Sequence, residues 1–308
     1  QRDGIFMLRQ FLPLTAVFDA NPYGNVGSVR TEGWDGNFAF NEKIGQVNFT
    51  LRGNMTFSKN EVLEKDEENN VYPYQMEKGY RVNQAKGLIA LGLFKDYDDI
   101  RNSPRQNFGT VQPGDVKYKD VNGDGVIDNG DRVAIGATTK PNLIYGIGTS
   151  ASWNGLDVNV HFQGAGKSSF FIDGPTVKPF SGEQWGNILT DVVGNYWISR
   201  DISGTEATEN PNAKYPRLSY GYNSNNYQAS SMWLRNGSYV RLKTVELGYS
   251  LPKTLLTKVR LSGFRFFVIG TNLITWSSFK LWDPEQATDQ GTKYPLPKSV
   301  SVGFNINL

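Results

Sequence analysis

Val-Asn-Phe-Thr-Leu-Arg-Gly-Asn-Met-Thr-Phe, residues 47–57, alternates without a break. Val47, Phe49, Leu51, Gly53, Met55 and Phe57 fall on one side, and Asn48, Thr50, Arg52, Asn54 and Thr56 on the other. Successive side chains of a strand point to opposite faces, so this pattern predicts a strand between unlike environments. The same reading holds at 156–163, where Leu156, Val158, Val160 and Phe162 oppose Asp157, Asn159, His161 and Gln163. It holds again at 299–308, with Val300, Val302, Phe304, Ile306 and Leu308 against Ser299, Ser301, Gly303, Asn305 and Asn307. A soluble sandwich turns its polar face to bulk water. A membrane barrel turns its apolar face to lipid and its polar face to a lumen.

The connections favour the barrel. Asn154-Gly155 is a tight hairpin signal between two alternating runs. Residues 41–45 and 252–262 are two further short joints, whereas 13–30, 59–140, 166–237 and 277–296 are long. Loops beyond about 12–15 residues are unusual in compact soluble domains. Eight strands result, near 3–12, 31–40, 45–58, 141–153, 155–165, 238–251, 262–276 and 298–308. Short turns and long loops then fall at opposite ends, as in an outer-membrane barrel with periplasmic turns and extracellular loops. The expected fold is therefore all-β, a portion of an antiparallel transmembrane β-barrel. In 239–251 the apolar residues change phase between Leu242 and Val245, which a β-bulge explains. Segments 83–101 and 183–198 are expected to be locally helical within the long loops.

Composition agrees. No apolar run reaches the roughly 18 residues of a transmembrane helix, a test that leaves barrel strands untouched. With 32 basic and 30 acidic residues, no basic footprint argues for nucleic acid. The chain has no Cys, which excludes disulfides and thiolate chemistry, and a single His, His161, which leaves no multi-histidine metal site. No signal peptide is visible at Gln1, so the sequence reads as a fragment.

One segment carries its own chemistry. Residues 120–131 read Asp-Val-Asn-Gly-Asp-Gly-Val-Ile-Asp-Asn-Gly-Asp. Asp120, Asn122 and Asp124 occupy the odd positions of a calcium loop, Gly125 its sharp turn, the Val126 carbonyl its seventh position and Asp128 its ninth. Asp131 closes it where a bidentate Glu is usual. Asn, Gly and Asp also dominate ordinary turns, but the full register favours a structural Ca²⁺ in the loop 59–140.

Several stretches resemble the C-terminal region of the SusC/RagA family of TonB-dependent outer-membrane transporters. They are Asn25-Val26-Gly27 with Gly33, Gly92-Leu93-Phe94, the run Gly114–Gly125, and Tyr215-Pro216-Arg217. Trp233–Lys243, Gly270-Thr271-Asn272-Leu273, Trp282-Asp283-Pro284-Glu285 and Tyr294-Pro295-Leu296-Pro297 complete the set in family order. The resemblance implies the last portion of a plugged barrel of about 22 strands, spanning 1–308 and lacking plug and Ton box. It implies import of oligosaccharides or peptides in Bacteroidetes, a SusD-like surface lipoprotein as lid, outer-membrane lipid around the wall, and TonB acting through the missing N-terminal region. The alternative is a secreted, calcium-stabilised β-sandwich that binds carbohydrate.

Catalysis is not expected. Asp283 with Glu285, or Glu183 with Asp191, could be imagined as glycosidase pairs, but loop acids are mostly solvated and their separation is not legible in sequence. Trp185, Trp233 and Trp282 lie in or beside the long loops and are weak candidates for substrate stacking, with packing inside the loop the plainer reading. Trp34, Trp153, Trp276 and Tyr249 are expected in a membrane-interface girdle.

Overall fold

The computed structural model describes residues 1–9, 20–67, 72–182, 186–205 and 209–308. Eight strands form one antiparallel sheet: β1 (Arg2–Leu8), β2 (Tyr23–Ile44), β3 (Val47–Glu64), β4 (Leu143–Trp153), β5 (Leu156–Gly166), β6 (Tyr239–Ser250), β7 (Gly263–Ser277) and β8 (Ser299–Asn307). Their spatial order is their chain order, and every neighbouring pair is antiparallel, with β1 and β8 at the open edges. No second large sheet faces it among the described residues, so the sandwich alternative is set aside.

Register makes the two faces continuous. Phe40 pairs with Leu51, Leu51 with Thr149, Thr149 with Val160, Val160 with Val245, Val245 with Gly270, and Gly270 with Val300. One residue along, Asn41, Thr50, Ser150, Asn159 and Glu246 form the matching polar row. The phase change in β6 is a bulge at Lys243, because pairing with β5 steps from Phe162–Leu242 straight to His161–Thr244, while β7 carries an extra residue of its own between Ile274 and Thr271. It restores the apolar face on both sides of the break.

The joints behave as their residues require. Asn154 and Gly155 both have positive φ, 49° and 86°, the backbone of a type I′ turn. The second tight hairpin places Gly45, at φ 65°, between Ile44 and Val47. The third joint, after β6, is a short helical turn over Lys253–Leu256 and Thr257–Val259. These three lie at one end of the sheet, and the long connections all lie at the other.

Two expectations change. β2 begins at Tyr23 rather than near 31, because the Gly-rich start pairs with β1, whose Ile5 and Met7 side chains fill the space above Gly27. The anticipated helices shrink to Tyr97–Arg101. Within 83–101, Lys86–Gly87 pairs with Val133–Ala134 and Ala90–Leu93 with Val116–Tyr118, so backbone pairing replaces the helix. Residues 186–198 hold no helix, and Tyr196 and Ile198 instead bridge to Tyr215 and Asn210.

The buried core sits in the connections. Phe170, Ile172, Val177, Val192, Tyr215, Tyr227, Trp233 and Phe279 form one cluster, drawn from the connections on either side of β6 and β7. Leu88, Val116, Tyr118 and Ile127 form a second within the connection between β3 and β4, and Met232 packs against both. The long loops are thus a packed cap on one end of the sheet.

Candidate functional site

The sheet's apolar face leaves Trp34, Phe38, Phe40, Ile147, Leu247, Phe266, Ile274, Val300, Val302 and Phe304 exposed. So much contiguous apolar surface marks contact with something other than water. Trp153, Tyr249, Phe266 and Phe304 edge this band at the short-turn end, and Trp34, Phe57 and Trp276 at the cap end. The eleven residues Leu143–Trp153 lie between those rows. They rise about 33 Å along the strand, or about 25 Å across a membrane at a tilt near 40°.

The polar face is hydrogen-bonded across strands. Arg265 donates to Asp157 at 2.5 and 3.0 Å and to Glu246 at 2.6 Å. Thr50 donates to Asn41 at 2.8 Å, and Arg52 to Asn159 at 3.3 Å.

Two buried charge clusters tie the cap together and to the wall. Asp115, fully buried, pairs with Arg217 Nε at 2.8 Å and accepts from Asn226 Nδ2 at 2.8 Å and from the Gln112 backbone at 2.7 Å. Arg241, 1% exposed on β6, donates to both oxygens of Asp283 and pairs with Glu285 at 3.1 Å. Sequence reading missed both pairings, although each joins two of the motif pieces singled out above. Their role removes the imagined catalytic pairs. Asp283 and Glu285 neutralise one arginine, and Lys214 and then Tyr215 hydrogen-bond to Asp191 and hold its carboxyl below the usual range. Glu183 lies outside the described residues.

The tryptophan candidates divide similarly. Trp233 is buried, with its indole N–H donating to the Asn226 carbonyl at 2.6 Å, so its ring cannot stack on a ligand. Trp282 packs edge-on against Phe279 and over Gly291. Trp233 is thereby a packing residue, and Trp282 is partly buried against the same core. Trp185 lies outside the described residues.

In the loop 120–131, side chains face the loop's own backbone. Asp120 accepts from the Gly123 and Gly125 amides at 2.7 and 2.9 Å, and Asp124 from Val126 at 2.8 Å. Asp128 caps Gly130 at 2.6 Å, and Asp131, fully buried, accepts from Val121 at 2.7 Å and Asp128 at 2.9 Å. The Asn122 amide donates to Asp124 and to the Tyr72 hydroxyl. Among the described residues no three acidic or histidine side chains are already gathered around one point. Burial, then the negative field of Asp131 together with those of Asp124 and Asp120, pushes the Tyr74 phenol up.

No family model matches the sequence. Curated relatives do. It is 27% identical to TonB-dependent receptor P26 of Formosa agariphila, over 92% of this chain and 29% of that protein. It is also 27% identical to TonB-dependent receptor P3 of the same organism, with the same coverage. The chain therefore spans under a third of the length of these relatives. Among solved structures, the RagAB peptide transporter superposes with a TM-score of 0.69 at 20% identity, over 98% of this chain and 32% of that one. The RagAB peptide importer in its open-open state gives 0.71 at 18%, over 99% and 31%. These relatives are receptors and transporters, not enzymes. The chain is thus similar in sequence to TonB-dependent receptors over 92% of its length, and its two-faced wall of bilayer height with a packed cap shares the fold of a stretch of the RagAB transporters.

Proposed function

We propose that these residues form wall and outer cap of a transporter that imports oligosaccharides or peptides. A SusD-like surface lipoprotein would close over the cap, and TonB would act on the remainder of the receptor from the periplasm. The observation that carries this reading is the sorting of connections. All three short joints lie at one end of a lipid-height sheet, and the long ones pack into cores at the other. Outer-membrane barrels keep short turns on the periplasmic side and long loops outside.

The chain has no Cys, which suits a labelling test of sidedness. In the full receptor in intact cells, a cysteine replacing exposed Tyr294 in the cap is expected to react with a membrane-impermeant maleimide. One replacing Asn154 in the short turn is expected to stay unlabelled. The reverse pattern would overturn the orientation. Uptake of labelled glycans and peptides by cells with and without the receptor separates the two substrate classes, and unchanged uptake of both would sink the transport reading.

A cation in the loop 120–131 is the second part of the proposal. The sequence register supports it, as does the placement of Asp120, Asp124, Asp128 and Asp131 within one twelve-residue turn, where each carboxylate keeps lone pairs beyond those used by backbone amides. A hard cation with oxygen ligands would offset their mutual repulsion and stiffen this part of the cap.

A further inference from the structure

The cap holds a cavity of about 520 Å³ where two of its connections meet. One wall comes from the connection between β3 and β4, through Tyr97 and Gln112. The other comes from the connection between β5 and β6, through Tyr196, Trp197, Asp201 and Arg217. The joint between them is tight. The Arg217 amide donates to the Gly114 carbonyl at 2.9 Å, and its guanidinium pairs with buried Asp115 at 2.8 Å. Gly114, at φ 84°, lies against the Trp197 indole, where any Cβ would overlap the ring, so glycine permits the close approach. Trp197 is only 5% exposed, and its indole N–H is buried without a hydrogen-bond partner. A buried donor left unmade is costly, which points to a partner that enters from outside the chain. Among the described residues the side chains of Gln112, Tyr196 and Asp201 make no hydrogen bond either.

The main chain of these walls is already spent. Tyr196 and Ile198 bridge to Tyr215 and Asn210, and the Trp197 amide donates to the Tyr215 carbonyl at 3.0 Å. On the opposite wall the Phe94 amide donates to Asp115 and its carbonyl accepts from Gly114. A peptide is commonly held by pairing its backbone with an open strand edge, and these paired walls leave its backbone little to bind. Side chains remain: the rings of Tyr97 and Tyr196, donors on Trp197 and Gln112, and an acceptor on Asp201. Acidic and basic residues line the cavity in equal number, which suits an uncharged ligand. A pyranose matches this set, with C–H groups that rest on the negative face of an aromatic ring and hydroxyls that both donate and accept. We propose that the cavity binds a neutral sugar residue of an oligosaccharide, which touches both connections and so ties them together. Sugar binding here rests on the import reading above and selects its oligosaccharide branch.

The test presents the full receptor, purified in detergent from the outer membrane, to arrays of neutral oligosaccharides and of short peptides, with calorimetry on the glycan bound best. A neutral glycan is expected to bind, and Tyr97→Ala is expected to weaken it by about tenfold or more. Tyr97 is exposed and outside both buried clusters, so its loss leaves the cap folded, which limited proteolysis checks. Trp197→Phe keeps a ring against Gly114, deletes the N–H, and is expected to weaken the same glycan. An unaltered receptor that binds no neutral glycan would overturn the proposal. So would glycan binding that neither substitution weakens, or peptide binding that both weaken, since the cavity would then take a peptide. Uptake of the bound glycan by cells carrying the receptor is read separately. Binding at this site without uptake would uphold the cavity and overturn import.

Discussion

The Arg241 guanidinium, almost wholly buried on the wall, donates to both carboxylate oxygens of Asp283 at 2.6 and 2.7 Å. Asp283 belongs to the connection between β7 and β8, so this contact fastens that part of the cap to a strand through which it does not otherwise pass. Removing one partner of a buried pair strands the other. Asp283→Ala is expected to cost about 3 kcal/mol, the low end for breaking such a pair, because Glu285 remains at 3.1 Å. Limited proteolysis should show faster cleavage within 278–298 while the strands stay protected. Unchanged cleavage would mean the pair contributes nothing to the cap's stability.

The two faces of the wall should respond oppositely to charge. Leu51→Arg or Val158→Arg places a cation on the lipid side and is expected to cost about 2–4 kcal/mol at mid-bilayer depth. Thr50→Arg, one residue away on the polar row, should be tolerated. Folded yield of the full receptor, read by heat-shifted mobility, distinguishes them. Equal tolerance would count against lipid contact.

The loop 120–131 gives a metal-dependent prediction. Calorimetry on the full receptor stripped with chelator is expected to show heat on adding Ca²⁺, and Asp124→Ala should abolish it while leaving the barrel intact. Mg²⁺ should substitute poorly because it demands a tight octahedron and retains its waters. Absence of calcium-dependent heat in the unaltered receptor would leave the loop an ordinary Asx-rich turn.

Alkaline pH should loosen the cap. Burial pushes the Tyr227 phenol up to about 12, and its hydroxyl donates to the Pro179 carbonyl at 2.7 Å. Tyr118, in the second core, is also raised by burial. For a raised folded-state value the stabilisation is whole below the unfolded value near 10 and is lost as pH climbs toward the folded value. For Tyr227 the loss between about pH 10 and 12 is roughly 3 kcal/mol. Near-ultraviolet dichroism should report disrupted cap packing in that window, with Tyr227→Phe shifting the onset upward. An onset unmoved by that substitution would remove Tyr227 from the cause.

The alternating runs were legible because a strand between lipid and lumen writes a period of two into any stretch of chain, whatever follows it. Hence β4, β5, β6, β7 and β8 lie within a few residues of their expected bounds, whereas β3, expected to end at 58, runs on to Glu64, and the phase slip at Lys243 marked its bulge. The start of β2 was hidden because Gly24 and Gly27 read as loop until Ile5 and Met7 are laid across them.

The connections show the reverse. Trp233 and Tyr227 stand only six residues apart, yet nothing local says that they share a core with Phe170 and Phe279. Asp115 and Arg217 are separated by about a hundred residues, and so are Arg52 and His161, which meet over Gly148. Sequence alone determined the wall, because its solvent on each side is a property of every second residue. Only the tertiary structure decided what the loops bury and which distant charges they bring together, because burial and pairing depend on partners that local periodicity does not record.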